Sequence, residues 1–587
     1  MKQKVFLLKG LAIYLPLVIA MSCVHPPRLP VGHGALVGFA DMHTHPMSHL
    51  GFGGMIVYGA PWTGSPMLSG QKYRGFNLFE AECNTGNEPA GTIEDALGND
   101  NAMHGGPGVD NDCGDVIRTA IIDKIEKRYI YEFPNPGLFG QVNDHPHTGY
   151  PTFTHWPHWS SVTHQQMYVE WIRRSFDGGQ RVMVALAVNN SLLAKAANAN
   201  QFVDDRSSVE LQLVEIGRFV GGHSDFMEVA RTPADLRRIV QSNRMAVVLG
   251  VETDDFGNLT RRASYEGERI TPAAVDAEIR RLHDLGVRYI LPIHFSNTVL
   301  GGYAITENLF ALSSKEYANS FPSPLETCDE GIHFKLTRET FAFPEADLLR
   351  TRDLGRIIDS QPNYTPPRRG CGHKNSLPLT PLGEGAIQTM MNLGMMIDID
   401  HMSRLAADET LDIAQTRDYP INSGHNGLLG NDCISGRGDD LQHCTENQRT
   451  AEQYEKIRSL GGMVGLGHGG QATKFVRHYR TVLELMGNRP VAIGTDANGL
   501  EALPAPDHEA PVRYDAGFPR YRFGRAWDFN EVGFAHYGMF PDYIRSWQSS
   551  ADPSGRMTDR EMDAFMSSAE GFARMWEKSA LRAAGAP

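Results

Sequence analysis

Met245-Ala-Val-Val-Leu-Gly-Val-Glu252 is an apolar run of strand length that ends in a carboxylate. A strand covered on both faces reads as a near-continuous apolar segment, so an acidic residue at its tip has a task other than packing. Four further segments follow the same grammar: Phe39-Ala-Asp-Met-His43-Thr-His45, Met395-Met-Ile-Asp-Ile-Asp-His401, Pro420-Ile-Asn-Ser-Gly-His425 and Val491-Ala-Ile-Gly-Thr-Asp496. One His at a strand end is more often a satisfied structural residue than a ligand. Five such endings in one chain form a pattern, and imidazoles with carboxylates are the donors of open catalytic zinc sites.

Working outward, apolar runs of strand length recur at 36–40, 182–188, 245–251, 287–293, 395–399, 420–423, 463–466 and 491–494. Amphipathic helical patterns lie between them. In 271–285, Thr271 caps, Pro272 takes the first turn, Val275, Ile279 and Leu282 share a face, and Gly286 ends the helix. Thr232-Pro233-Ala-Asp235 opens another helix, 167–176 carries a third, and Thr558-x-x-Glu561 caps a last one with Met562, Phe565, Ala569, Phe572 and Trp576 on its buried face. Strand-helix alternation of this kind predicts an α/β fold with a parallel sheet, and its repetition predicts a (β/α)8 TIM-type barrel. An open doubly wound sheet is the competing architecture. In a barrel the catalytic residues stand at the C-terminal ends of the strands, where each candidate falls. Long insertions at about 46–160, 299–380, 426–446 and 499–555 fall on the same side and are expected to roof the site, with the barrel domain as a whole spanning 30–587.

Composition narrows the function. The 587 residues are 41% hydrophobic and 21% charged, as in a soluble globular protein. The net charge of −14 speaks against a nucleic-acid partner, because phosphate binding wants a basic surface. At the N-terminus, Lys2, Lys4 and Lys9 precede an apolar stretch, 10–21, that is short for a membrane span and suited to a secretory signal. Ala20-Met-Ser-Cys23 reads as a lipoprotein cleavage box with Ala20 where Leu is usual. The expectation is a signal peptide over 1–23, a lipidated Cys23 and an exported protein of the bacterial periplasm or cell envelope, touching membrane only through that anchor; ordinary cleavage nearby is the alternative. Setting Cys23 aside leaves Cys83, Cys113, Cys328, Cys371, Cys433 and Cys444, an even set in a compartment that permits disulfides. Sequence order suggests 83–113, 328–371 and 433–444, among many possible connectivities. The absence of any Cys-x-x-Cys spacing disfavours a thiolate zinc site.

The ligand segments and their surroundings, together with Leu285-Gly-Val-Arg-Tyr-Ile-Leu-Pro-Ile-His294-Phe-Ser-Asn297, resemble the amidohydrolase superfamily and, within it, the membrane (renal) dipeptidase family of binuclear zinc peptidases. The resemblance covers about 36–45 and most of 180–500, with the insertions unmatched. It implies two zinc ions, one held by His43, His45 and Glu252, the other by Glu252, His401 and His425, with Glu252 bridging. Ions about 4 Å apart can share a hydroxide that is nucleophilic at neutral pH. The resemblance further implies that Asp496 accepts the hydroxide's proton and passes it to the leaving amine, and that His294 stabilises the oxyanion. Arg437 lies near where the family places an arginine that grips the substrate carboxylate, one residue further along; His468 in Gly465-Leu-Gly-His468 is a weaker candidate for substrate contact. The chain departs from the family at His45, where His-x-Asp is usual. That exchange raises the charge of the site by one and puts dipeptide specificity in doubt. The expected activity is zinc-dependent hydrolysis of a peptide or amide bond in a small substrate, most simply a dipeptide. An amidohydrolase acting on another amide, lactone or carbamate is one alternative, and a non-catalytic binding or scaffold barrel another, disfavoured because a binder has no use for a proton shuttle beside two metals.

Overall fold

A computed structural model describes residues 34–54, 56–57, 59–66, 72–74, 80–82, 89–97, 158–159, 164–196, 199, 201–338, 354–430, 433 and 444–585. Eight parallel strands form the central sheet in chain order: β1 (Phe39–Thr44), β2 (Gln180–Asn189), β3 (Met245–Thr253), β4 (Tyr289–Leu291), β5 (Met396–Ile397), β6 (Asn422–Asn426), β7 (Met463–Leu466) and β8 (Ala492–Ile493). β8 returns to β1 through the pair Asp41–Ile493. β5 reaches β6 through a parallel bridge between Asp398 and Asn422, where Ile399 N–H donates to Asn422 O at 3.0 Å. The sheet therefore closes into a (β/α)8 barrel, and the open doubly wound alternative is excluded.

All eight expected runs are barrel strands, but their limits shift toward the ligands. β1 runs to Thr44 and β6 to Asn426, so His43 and His425 lie inside strands instead of beyond them. One strand of the central sheet was not anticipated: Met227–Val229 pairs with the first part of β3, Met245–Val247, while β4 pairs only with its later part, Gly250–Glu252. The short extra strand fills the edge that β4 leaves open.

Side chains alternate across the strands as a period of two requires. Val182, Val184 and Leu186 of β2, Ala246 and Val248 of β3, and Tyr289 and Leu291 of β4 belong to one buried cluster. Met183, Ala185, Val247, Leu249, Val251 and Ile290 belong to another, which they share with the surrounding helices. Glu252 has the parity of Ala246 and Val248, and Tyr289 reaches across to Asn422 and Asp398, so the first face is the barrel interior. Gly424 is required there, since a Cβ on it would come within 2.3 Å of the Tyr289 hydroxyl and 2.4 Å of Asp398 Oδ2.

The helices begin where their caps predict. In α1 (Pro233–Gln241) and α2 (Pro272–Asp284) the side chains of Thr232 and Thr271 accept the backbone N–H three residues on, with proline in the first turn. Gly286 lies just beyond α2 in the left-handed region at φ 103°. The expected helix over 167–176 spans Val169–Asp177. The last helix is two: α3 (Asp559–Met566), opened by the Thr558/Glu561 capping box, and α4 (Ser568–Ala583). The break at Ser567 has a physical cause, because the start of β1 docks into it. Gly38 N–H donates to Met566 O, Ala569 N–H to Gly38 O, and Ala40 N–H to Ser568 Oγ. All five residues expected on the buried face are buried.

The two longest connections between barrel strands leave the C-terminal ends of β1 and β4, and further irregular segments follow β6 and β8. Two disulfides lie in them, Cys328–Cys371 and Cys433–Cys444, pairing as expected. Cys83, Cys113 and Cys23 lie outside the described residues. No helix among the described residues is long and apolar enough to cross a membrane.

Candidate metal centre

The five expected ligands converge at one end of the barrel although up to 382 positions separate them along the chain, from His43 to His425. Glu252, at the interior tip of β3 and only 2% exposed, divides its carboxylate between two groups. Its Oε2 lies 3.0 Å from His43 Nε2 and 3.1 Å from His45 Nε2. Its Oε1 lies 3.2 Å from His401 Nε2, which itself stands 2.9 Å from His425 Nε2. Asp496 joins the first group, with Oδ1 3.2 Å from His45 Nε2 and 3.7 Å from His43 Nε2. Two sets of donors within 4.8 Å of one another result: His43, His45, Glu252 and Asp496, and Glu252, His401 and His425.

These donors fit metal ions by their orientation as well as their types. His45 Nδ1 faces Leu186 O at 3.3 Å, and His425 Nδ1 faces Asp400 Oδ2 at 2.9 Å. The carbonyl on His45 Nδ1 fixes the proton there and leaves the Nε2 lone pair free, the arrangement by which protein metal sites orient imidazoles, and at His425 the Asp400 charge favours the proton on the same side. The facing Nε2 atoms of His401 and His425 then share a point better filled by a cation than by each other.

The electrostatics follow from packing so many ionisable groups together. Burial alone would raise Glu252, but the His43 and His294 imidazoles hold its carboxyl well below the ordinary range. Burial opposes charge on His45 too, yet its bonds to Asp496 and Glu252 push it up to about 9, while His43 is lowered by burial. Asp400 raises His425 against burial to about 10, whereas burial takes His401 down to about 4. Asp496, opposed by burial, is brought down to about 2 chiefly by its bond to His45.

His294, expected at the oxyanion, follows β4 with its Nε2 3.7 Å from Glu252 Oε1 and its ring edge-on to His401 at 4.7 Å between centroids. His468 follows β7; burial lowers its pKa to about 4, and its Nδ1 accepts Gly470 N–H. Arg437 lies outside the described residues.

Several supporting residues were not singled out from the sequence. Asp400 accepts Ser423 Oγ–H and His425 N–H, and lies beside the His425 ring as well. Asp41 accepts Thr495 N–H, Thr495 Oγ–H, Tyr537 O–H and His43 N–H, tying β1 to the turn that carries Asp496. Asn447 Oδ1 accepts His401 N–H at 2.7 Å. The available signal was an Asp within an otherwise apolar run, as in Phe39-Ala-Asp41 and Ile399-Asp400. His401 and Asp496 both have left-handed backbone, φ 64° and φ 50°, a conformation that costs energy for non-glycine residues and gathers at functional sites.

No family model matches the chain, and no curated protein matches it. Among solved structures it is similar to an amidohydrolase from Pseudomonas aeruginosa, at 13% identity and TM-score 0.39, covering 70% of this chain and 92% of that one. It is also similar to the dipeptidase AC, a metallopeptidase, at 13% identity and TM-score 0.39, covering 70% and 89%. A metallopeptidase from Rhodobacter sphaeroides, liganded with a phosphinate mimic of the dipeptide L-Ala-D-Ala, matches at 15% identity and TM-score 0.35, covering 58% and 78%. At such identities and scores, what the site does must be read from its own geometry.

Proposed function

We propose that this chain is a metal-dependent hydrolase of the membrane-dipeptidase type within the amidohydrolase superfamily, cleaving a peptide or amide bond in a small substrate, most simply a dipeptide. The observation that carries the reading is the divided carboxylate of Glu252, with His43 and His45 on one oxygen, His401 on the other with His425 beside it, and Asp496 beside the first pair. His43, His45 and Glu252 would hold one zinc-type ion, and Glu252, His401 and His425 the other. Bound there, such ions supply Lewis acidity and a water-derived nucleophile at neutral pH.

The remaining chemistry belongs to this chain's side chains. Asp496 is ionised at neutral pH and its side chain is 25% exposed, more open than the ligands around it. It accepts a proton at its carboxylate and returns it to the leaving amine. His294 Nε2 donates to the substrate carbonyl oxygen as that oxygen gains charge. Arg437 is assigned the substrate's free carboxylate, and cleavage on C-terminally amidated dipeptides should then be impaired in the wild type and indifferent to Arg437→Ala. Export with a lipid on Cys23 remains part of the same proposal; intact mass and thiol titration of the mature protein test it.

The decisive experiment is metal analysis of purified protein combined with a dipeptide panel. About two zinc-type ions per chain and chelator-sensitive release of amino acids are expected. Active protein without metal ends the reading, and loaded protein that cleaves other amides but no dipeptide replaces its substrate.

A further inference from the structure

We propose that Phe295 and Phe310 form a side-chain subsite that selects an aromatic residue in the peptide cleaved at this centre, an inference resting on the hydrolase reading above. Phe295 follows His294 directly. Its ring lies 3.9 Å from the His294 ring and 4.6 Å from that of His401, at 76° to the latter, so it stands against the two imidazoles on the Oε1 side of Glu252. Phe310 stacks on it nearly parallel, at 3.5 Å between centroids and 3° between planes. Both rings are only partly buried, whereas Phe256 and Phe39 are fully buried, and Phe310 also packs against the main core cluster.

The Phe295 main chain is fixed from behind. Phe295 N–H donates to Asp254 Oδ1 at 2.6 Å, and Asp254 is buried and held in turn by Asn190 Nδ2 at 2.7 Å. The same anchor sets His294, whose Nδ1 lies 3.8 Å from Asp254 Oδ2. At Phe295 the aromatic wall therefore shares its anchor, Asp254, with the imidazole assigned to the reacting carbonyl. Lone exposed apolar residues need no explanation, but two rings stacked in parallel beside a catalytic centre leave apolar surface that a third ring can cover. Aromatic pairs gain from such contact beyond the area they bury. An acidic side chain would instead lose hydration against this wall while facing Glu252 and Asp254.

The test uses the zinc-loaded full chain with dipeptides carrying Phe, Ala or Asp at each position. At one of the two positions Phe should exceed Ala in kcat/KM by about 10-fold, with Asp lowest. Phe295→Ala should lower kcat/KM for the Phe substrate about 10-fold more than for Ala-Ala, removing that advantage, while zinc content stays the same; Phe310→Ala should remove part of it, and Phe295→Tyr should keep it. Equal rates for Phe and Ala in the wild type, or a uniform fall across all substrates in Phe295→Ala, overturns the subsite. Equilibrium binding separates this from the parent reading: phenylalanine amide should bind the loaded wild type about 10-fold tighter than alanine amide. A tie overturns the subsite whether or not peptides are cleaved, whereas selective binding without any cleavage overturns the hydrolase reading alone.

Discussion

The two halves of the metal centre are built differently. His43 lies within β1 and His45 one residue beyond it; both are almost wholly buried, and the ring of His45 is set by a main-chain carbonyl of the neighbouring strand β2. That half is a property of the barrel. His401 instead follows β5 on left-handed backbone, held by the side chain of Asn447 and by Ala304 N–H on its carbonyl, while His425 depends on the carboxylate of Asp400. The second half thus combines a strand residue, His425, with a loop residue, His401, and depends on inserted loops and on polar side chains behind both. The lesson is that one site can be rigid on one side by backbone and on the other by a polar network, with different vulnerabilities.

Glu252 joins the halves, so breaking it should have the largest effect. Glu252→Gln replaces one of two charged oxygens by an amide nitrogen that cannot ligate, and both ions should be lost together; elemental analysis after dialysis reads this directly. Retention of one tightly held ion would show that the halves are independent. Asp496→Asn comes next. It should lower kcat by about 10²-fold or more, the scale for removing a general acid–base group, and should leave the second ion in place because His43 and His45 are the metal-holding side chains that its carboxylate pairs with. An unchanged kcat sinks the proton-transfer role.

Asp400→Asn addresses the second half by itself. The amide keeps the shape but removes the charge that fixes the Nδ1 proton of His425, and loss of such an outer partner typically weakens metal binding by about 10- to 100-fold. Zinc titration should therefore show one site weakened and the other unchanged. Equal weakening of both would erase the distinction drawn between them.

How much of this was legible in the sequence follows the same division. The eight strands could be read because each is an apolar run bounded by caps and turns, and the ligands because each interrupts such a run at its end. Strand limits at β1 and β6 were misplaced, since polar residues there sit inside a pleated strand and look like its termination. The split of the final helix was invisible: its apolar face continues through Ser567, and only the arrival of Gly38 and Ala40 from the other end of the chain explains the break. Asp400 and Asn447 escaped because their partners, His425 and His401, lie 25 and 46 positions away, and no local spacing encodes such contacts.

The smallest effect at neutral pH should come from Glu446, which supports the second half from further back. Its buried carboxylate accepts Ile305 N–H and Asn375 N–H on one oxygen and Arg404 N–H on the other, joining two inserted loops to the segment that follows His401. Burial is the dominant influence and raises its pKa to about 7 from 4.5, against these three bonds. The folded protein therefore binds a proton more tightly than the unfolded chain, so the associated stability is full below about pH 4.5 and is lost as pH rises through about 7, a swing on the order of 3 kcal/mol. Glu446→Gln cannot ionise and forfeits one acceptor to Arg404. It should be clearly less stable than the wild type near pH 5, approach it above pH 7, and flatten the dependence of Tm on pH between those values. The same shift carried by a pH-independent offset would mean that Glu446 acts only through its hydrogen bonds; a flattened slope accompanied by unchanged zinc binding at the His43/His45 site would place its influence in the loop-supported half.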